Sequence, residues 1–229
     1  MRPFLQLFLR GSIALVALVF LGFGLGFWQS TRWALAHWPW PDGPLSYLFI
    51  ASILIAEGAT MLWVAVSLEL RAARGGALGL AAMSTGIVIT MGHLYAQRGE
   101  GLLLGWAIFW AVIALGALGL WALGSQFPIV DRRPTPAVVR GSFLVFALAL
   151  GIATVMLLLR APVVFPWPLK PESSTMFGCF FVASALYFFD GWRRPSAANA
   201  TGQLLGFGLY DLVPVLTTLR RILGTFSAA

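Results

Sequence analysis

The chain has 229 residues, of which 59% are apolar and only 10% are charged, and its mean hydropathy is +0.87. A soluble domain of this length has about a quarter of its residues charged, so the composition excludes an ordinary water-soluble fold. The net charge is +7, but no basic segment is long enough to form a nucleic-acid-binding face. Long apolar blocks separated by charges predict an all-α integral membrane protein that contacts the lipid bilayer and binds no nucleic acid.

Seven apolar segments predict transmembrane helices within one transmembrane domain, residues 1–229. Each segment is near the roughly 20 residues that cross a bilayer. Their approximate bounds are 11–28, 45–70, 76–95, 102–123, 141–159, 175–192 and 203–219. The seventh is the weakest, because Asp211 and Pro214 interrupt it. Six spans plus a re-entrant segment are therefore the alternative.

A proline–tryptophan phrase precedes the second segment and recurs 127 residues later, before the sixth. Its two copies are Trp38–Pro41 and Phe165–Pro168. In the same register, residues 39–79 and 166–206 share 10 identities in 41 positions, where chance would give roughly three or four. The pattern predicts that the chain consists of two related halves.

The halves are repeat 1 over 10–95 and repeat 2 over 140–219, joined by a linker helix over 102–123. The fifth helix lies four crossings after the first, so both halves have the same orientation in the membrane. This parallel 3+1+3 layout resembles that of the SWEET sugar carriers. The resemblance concerns layout alone, since their paired Pro-Gln signatures are absent and no site residue is carried over.

The phrase itself predicts interfacial loops. Tryptophan prefers the headgroup layer, so Trp38, Trp40 and Trp167 are interpreted as rigid anchors on one side of the membrane. The alternative is a pair of pseudo-symmetric lids over a central site. The phrase is also similar to a W-P-W-P-L-x-P-L loop of uncharacterised bacterial multi-pass membrane proteins, over Trp38–Leu45 and Phe165–Pro171. That resemblance implies a bacterial inner membrane and no particular function.

The distribution of basic residues predicts the orientation. With the N-terminus in the cytoplasm, nine of the fifteen lysines and arginines lie inside and six lie outside. Cytoplasmic loops carry an excess of Lys and Arg, so a cytoplasmic N-terminus in the cell membrane is favoured. Arg220 and Arg221 oppose this assignment, and they would move inside if the seventh segment did not span.

Glycines four residues apart predict close helix contacts, because small residues let backbones approach in lipid. Packing within the bundle is the main interpretation, and association of two copies is the alternative. The pairs are Gly75 and Gly79, Gly202 and Gly206, and Gly101 and Gly105.

Two acids near the middle of apolar segments are the candidate site residues. Glu57 and Asp211 are costly in a membrane unless they are neutral, paired or facing water. The repeat places Ser184 opposite Glu57 and Ser84 opposite Asp211, and Tyr210 is a further hydroxyl that could satisfy an acid. A proton or substrate site formed by these residues is one hypothesis. Structural acids bonded to their neighbours are the other.

The sequence predicts no metal and no cofactor. His37 and His93 are the only histidines, and Cys179 is the only cysteine. The one lysine, Lys170, is followed by Pro171, so no Walker A loop is present, and common hydrolase and dinucleotide motifs are also absent. An enzyme is therefore less favoured. The leading hypothesis is a permease-like protein that moves a small solute with proton coupling. The alternative is an accessory or assembly subunit that binds partner subunits of a larger membrane complex.

Overall fold

The computed structural model describes residues 2–67 and 69–226, and these residues form eight α-helices and no strand. The helices are α1 (Arg2–Trp28), α2 (Arg32–His37), α3 (Pro44–Ser67), α4 (Ala73–Arg98), α5 (Gly101–Gly124), α6 (Ala137–Leu158), α7 (Pro171–Arg193) and α8 (Ala197–Phe226). By length and composition, six of them can cross a membrane, namely α1 and α3 to α7. The predicted all-helical, multi-pass class is confirmed at this level, and α8 is not among the six.

Each predicted apolar segment lies within or nearly within one long helix, and several of the helix ends have a residue suited to the position. Pro44 and Pro171 are the first residues of α3 and α7. Proline suits this position, because its fixed φ matches the helix and its missing N–H would have no intrahelical acceptor. Gly99 follows α4 with φ of 67°, a left-handed conformation that glycine adopts without strain. The short helix α2 was not predicted.

The chain folds as two compact units. Unit 1 consists of residues 1–66 and 204–229, and unit 2 consists of residues 67–203. Unit 1 thus contains α1, α2, α3 up to Val66, and most of α8, whereas unit 2 contains α4 to α7 and the first turns of α8.

In unit 1, α1 and α3 pack antiparallel. Near the start of α1, the Arg10 Nε donates a hydrogen bond of 2.5 Å to the carbonyl oxygen of Ala65, near the end of α3. Towards the end of α1, a Cβ on Gly24 would lie 3.0 Å from the backbone nitrogen of Ile55. The two backbones are therefore close along most of α3.

The opposite side of α3 contacts α8. A Cβ on Gly206 would lie 2.7 Å from the Thr60 Oγ1, and the ring of Tyr210 meets Phe49 edge-to-face at 6.2 Å. Because Gly206 precedes Tyr210 while Thr60 follows Phe49, these two helices also run antiparallel. In unit 1, α3 is consequently the central helix.

In unit 2, α4 and α7 are the two inner helices: α4 packs on α5, and α7 packs antiparallel to both α4 and α6. A Cβ on Gly79 of α4 would lie 2.5 Å from the carbonyl oxygen of Ala183. From α6, the Arg140 Nε donates to the carbonyl oxygen of Trp192 at 3.0 Å. At the opposite end, the Ser174 Oγ donates to the carbonyl oxygen at the end of α6, at 2.7 Å.

The glycine pairs differ in their surroundings. Gly75 and Gly79 face α7, and Gly206 faces α3, so the expected helix contacts are confirmed for these three. Gly101 and Gly105 have no described atom within 4 Å of an added Cβ. For this pair the expected contact within the bundle is wrong, because α5 buries a different face of its helix, which includes Leu103, Ala107, Trp110, Ala114 and Ala117.

Candidate functional site around Glu57

Glu57 projects from α3 between the faces that contact α1 and α8. Gly58 packs on Ala17 and Leu21 of α1, and Thr60 packs on Gly206 of α8. Successive helix residues are separated by about 100°, so Glu57 points away from the α1 face and to one side of the α8 face. Neither contact uses the carboxyl group.

The Glu57 side chain is half-buried. Among the described residues it has no hydrogen bond and no ion pair, although it lies deep in a helix with a high apolar content. An ionised carboxylate in such surroundings is costly without a partner, so the environment favours the protonated acid or a bound partner from outside the chain. Within the described part of the chain, the Glu57 carboxyl group therefore has no hydrogen-bonding partner.

Polar groups near Glu57 on the same unit are few. The Thr60 hydroxyl, one turn later, donates to the Ala56 carbonyl oxygen at 2.9 Å. In α8, Pro214 lacks an N–H, so the Tyr210 carbonyl oxygen loses its regular helical donor.

Asp211 is exposed on α8, whereas Val213, two residues later, is only 3% exposed. The helix thus buries one face and leaves the carboxylate on the other. Glu57, Tyr210 and Asp211 belong to unit 1, and Ser84 and Ser184 belong to unit 2.

The two serines have different environments in unit 2. Ser84 is 0% exposed, and its hydroxyl has no hydrogen-bond partner among the described residues. Ser184 is half-buried and donates to the Phe180 carbonyl oxygen at 3.3 Å within α7. Ser84 is thus the more unusual, since a buried hydroxyl is normally bonded.

The tryptophans of the repeated phrase are packed to different extents. Trp38 and Trp40 are 4% and 6% exposed and meet each other edge-to-face at 5.4 Å. Trp167 is half-buried against Phe165, with ring centres 4.7 Å apart. The first copy of the phrase is therefore part of the interior of unit 1, while the second is less covered.

The described residues contain no group of three or more His, Cys, Asp or Glu side chains that could hold a metal ion. The His37 Nδ1 lies 2.7 Å from the Trp33 carbonyl oxygen. The His93 Nε2 lies 3.0 Å from the Gln97 amide nitrogen. Both histidines thus have local partners within one helical turn.

A buried glutamate that binds backbone N–H groups in unit 2 was not predicted from the sequence. Glu69 is 4% exposed, and its carboxylate accepts the backbone N–H groups of Asp131 at 2.6 Å and Val130 at 3.2 Å. In the same loop, hydrogen bonds from Arg133 lower the pKa of Asp131. A glutamate directly after an apolar helix was the only available signal, and it is compatible with an ordinary surface residue.

The Asp190 carboxylate forms a second polar contact of this kind. It pairs with Arg194 one turn later and lies directly against the Gly75 backbone. Gly75 is thus needed to admit the carboxylate between α4 and α7, which the glycine spacing alone did not indicate.

Comparison of the chain with protein-family models, with curated proteins and with solved structures finds no match.

Proposed function

We propose that the protein is a small permease-like membrane protein in which Glu57 binds a proton or hydrogen-bonds a small polar solute. The observation that carries this proposal is the lack of any partner for Glu57 among the described residues. A carboxyl group that served only the fold would be expected to have a hydrogen-bond partner, as Glu69 has. An intramembrane acid is by default a candidate for a proton or substrate pathway.

We further infer two parallel halves and seven crossings, with α8 as the seventh. Support comes from two hydrogen bonds at equivalent positions. Arg10 donates to the carbonyl oxygen of Ala65, and Arg140 donates to that of Trp192. Ala65 and Trp192 are separated by the 127-residue offset of the phrase, and the two arginines begin the matching Arg-Gly-Ser segments. If the two segments were similar by chance alone, there would be no reason for both to form this hydrogen bond.

The third helices of the halves also make equivalent contacts, each with the opposite half. Gly79 faces the Ala183 carbonyl oxygen at 2.5 Å, and Gly206 lies 3.7 Å from that of Ala56, both measured from an added Cβ. Gly206 and Ala183 are the offset equivalents of Gly79 and Ala56. Each unit therefore combines the first two long helices of one half with the third helix of the other, as expected for a duplicated bundle.

The distribution of arginine in unit 2 supports the proposal of a cytoplasmic N-terminus. Its antiparallel contacts bring the start of α4, the end of α5, the start of α6 and the end of α7 to one end. That end carries Arg71, Arg74, Arg132, Arg133, Arg140, Arg193 and Arg194, and the other end carries Arg98, Arg160 and Lys170. The excess of arginine assigns the first end to the cytoplasm. With one crossing each for α1 and α3, we infer that the start of α1 lies on the same side of the membrane.

Vesicles reconstituted with the full chain test the transport proposal. A pH-sensitive dye inside the vesicles would report proton movement when a gradient of a sugar, an amino acid or an organic cation is applied. We expect at least one solute class to move protons with the wild type and not with Glu57→Gln, while Glu100→Gln, which alters an exposed carboxylate, behaves as wild type. Equal coupling in the Glu57→Gln protein, or no response to any class, would refute the proposal.

The exposed face of α8 favours a second candidate, an accessory subunit. Leu204, Leu212 and Val215 are 44 to 51% exposed, and Asp211 lies among them. A partner helix with a basic side chain would satisfy this carboxylate. Purification in mild detergent should then recover a second membrane protein bound to the wild type but not to the Asp211→Asn variant. Under the permease proposal, the proteins that copurify do not depend on Asp211.

A further inference from the structure

The end of unit 2 that is rich in arginine contains a basic and aromatic cluster formed by Arg71, Arg74 and Trp121. The Arg74 guanidinium carbon lies 5.1 Å from the centre of the Trp121 ring. The Arg74 Nε is buried, and the guanidinium makes no hydrogen bond to any described residue. The arginine is thus held in place by stacking, and its donors are unused.

Arg71 lies one turn earlier and extends towards the end of α5. Its Nη1 is 3.3 Å from the Ser125 carbonyl oxygen and 3.4 Å from that of Phe127. Both distances are long for a hydrogen bond from a charged donor. The remaining nitrogens of Arg71 are not bonded to described residues. Two guanidinium groups therefore present free donors at the same helix margin.

We propose that Arg71, Arg74 and Trp121 form a binding site for the headgroup phosphate of an anionic phospholipid. Guanidinium forks bind phosphate oxygens in pairs, and basic pockets between transmembrane helices take anionic headgroups. Trp121 lies near the end of α5, and tryptophan near the end of a transmembrane helix prefers the headgroup layer. On α5, which also carries Trp121, Leu115 and Leu118 are 71% and 45% exposed and provide an apolar track for an acyl chain. This track favours a lipid over a soluble phosphate as the source of the headgroup chemistry.

Titration of the purified full chain in mild detergent with phosphatidylglycerol and with phosphatidylcholine tests the site, with native mass spectrometry to count bound lipid. We expect phosphatidylglycerol to bind more tightly than phosphatidylcholine. The double variant Arg71→Gln/Arg74→Gln should raise the Kd for phosphatidylglycerol about 25-fold, since each basic residue contributes roughly fivefold. The control Arg132→Gln removes one positive charge, against two in the double variant, from an exposed arginine at the same end, and should change the Kd less than about twofold.

A second variant distinguishes loss of lipid binding from loss of the fold. Arg74→Lys keeps the charge but loses the planar fork and the stacking on Trp121, and it should weaken phosphatidylglycerol binding by about fivefold. Equal binding of the two lipids to the wild type would overturn the proposal, as would an Arg132→Gln effect as large as that of the double variant. Displacement of phosphatidylglycerol by millimolar inorganic phosphate would overturn the lipid assignment and identify a soluble phosphate as the ligand.

Discussion

Because α4 and α7 lie in close contact, we expect a single methyl group added at Gly79 to lower the stability of the protein. In Gly79→Ala the new Cβ would lie 2.5 Å from the Ala183 carbonyl oxygen, 3.1 Å from its carbonyl carbon and 3.2 Å from its Cα. All three atoms belong to the backbone of α7, so no side-chain rotation relieves the overlap. The helices must separate by about 0.9 Å to restore an ordinary contact of 3.4 Å.

Overpacking of this kind costs about 1–3 kcal/mol. Gly105→Ala is the matched control, because no described atom lies within 4 Å of its Cβ, and alanine there should gain up to about 1 kcal/mol of helix propensity. Gly206→Ala should fall between the two, since its closest neighbour is the movable Thr60 hydroxyl at 2.7 Å. Each kcal/mol corresponds to roughly 2–4 °C in Tm for a chain of this length.

Thermal unfolding of the three variants in the same detergent, monitored by the loss of the monodisperse elution peak, gives the order of their stabilities. We expect Gly79→Ala to melt lowest and Gly105→Ala at or above the wild type. If Gly79→Ala melted with the wild type, or if Gly105→Ala lost as much as Gly79→Ala, the close contact of α4 and α7 would be disproved.

Three further outcomes follow from the contacts described above. Glu69→Ala should lower stability by about 2–4 kcal/mol, because two backbone N–H groups lose their acceptor, and Glu69→Gln by less, because it keeps one; equal melting of the two variants would argue against this anchor. Arg10→Gln and Arg140→Gln should each cost about 1 kcal/mol, and a loss in only one of them would contradict the equivalence of the two halves. Cys179, which is 6% exposed, should react with a maleimide only after denaturation, so rapid labelling of the folded protein would place it elsewhere.

The membrane class and the long helices could be predicted because they depend on composition and on the length of apolar segments, which the sequence displays directly. The predicted start at 45 is one residue from the start of α3 at Pro44, whereas the predicted start at 175 is four residues after the start of α7 at Pro171. The short helix α2 could not be predicted, since its six residues have no length or period that separates them from a loop. Its position depends on tertiary contact with α1, where Trp33 covers Gly26.

The candidate site was predictable only in part. A mid-segment acid is visible in the sequence, so Glu57 and Asp211 were found together. Whether a helix face is covered depends on the neighbouring helices. For this reason the sequence alone could not show that Glu57 is half-buried and Asp211 is exposed. Glu69 was missed because its role depends on two backbone groups about 60 residues away along the chain.

Reaction with N,N′-dicyclohexylcarbodiimide tests the central claim about Glu57 most directly, because this apolar reagent modifies protonated carboxyl groups in apolar surroundings. Peptide mass spectrometry of the labelled, folded protein should find the adduct on Glu57, with labelling that declines as the pH rises and disappears in Glu57→Gln. Glu69, whose carboxylate is bonded to two backbone N–H groups, serves as the internal control and should stay unmodified. An unlabelled Glu57 under conditions that modify Asp211 would contradict a protonatable, unpartnered acid in α3 and would remove the basis for the permease proposal.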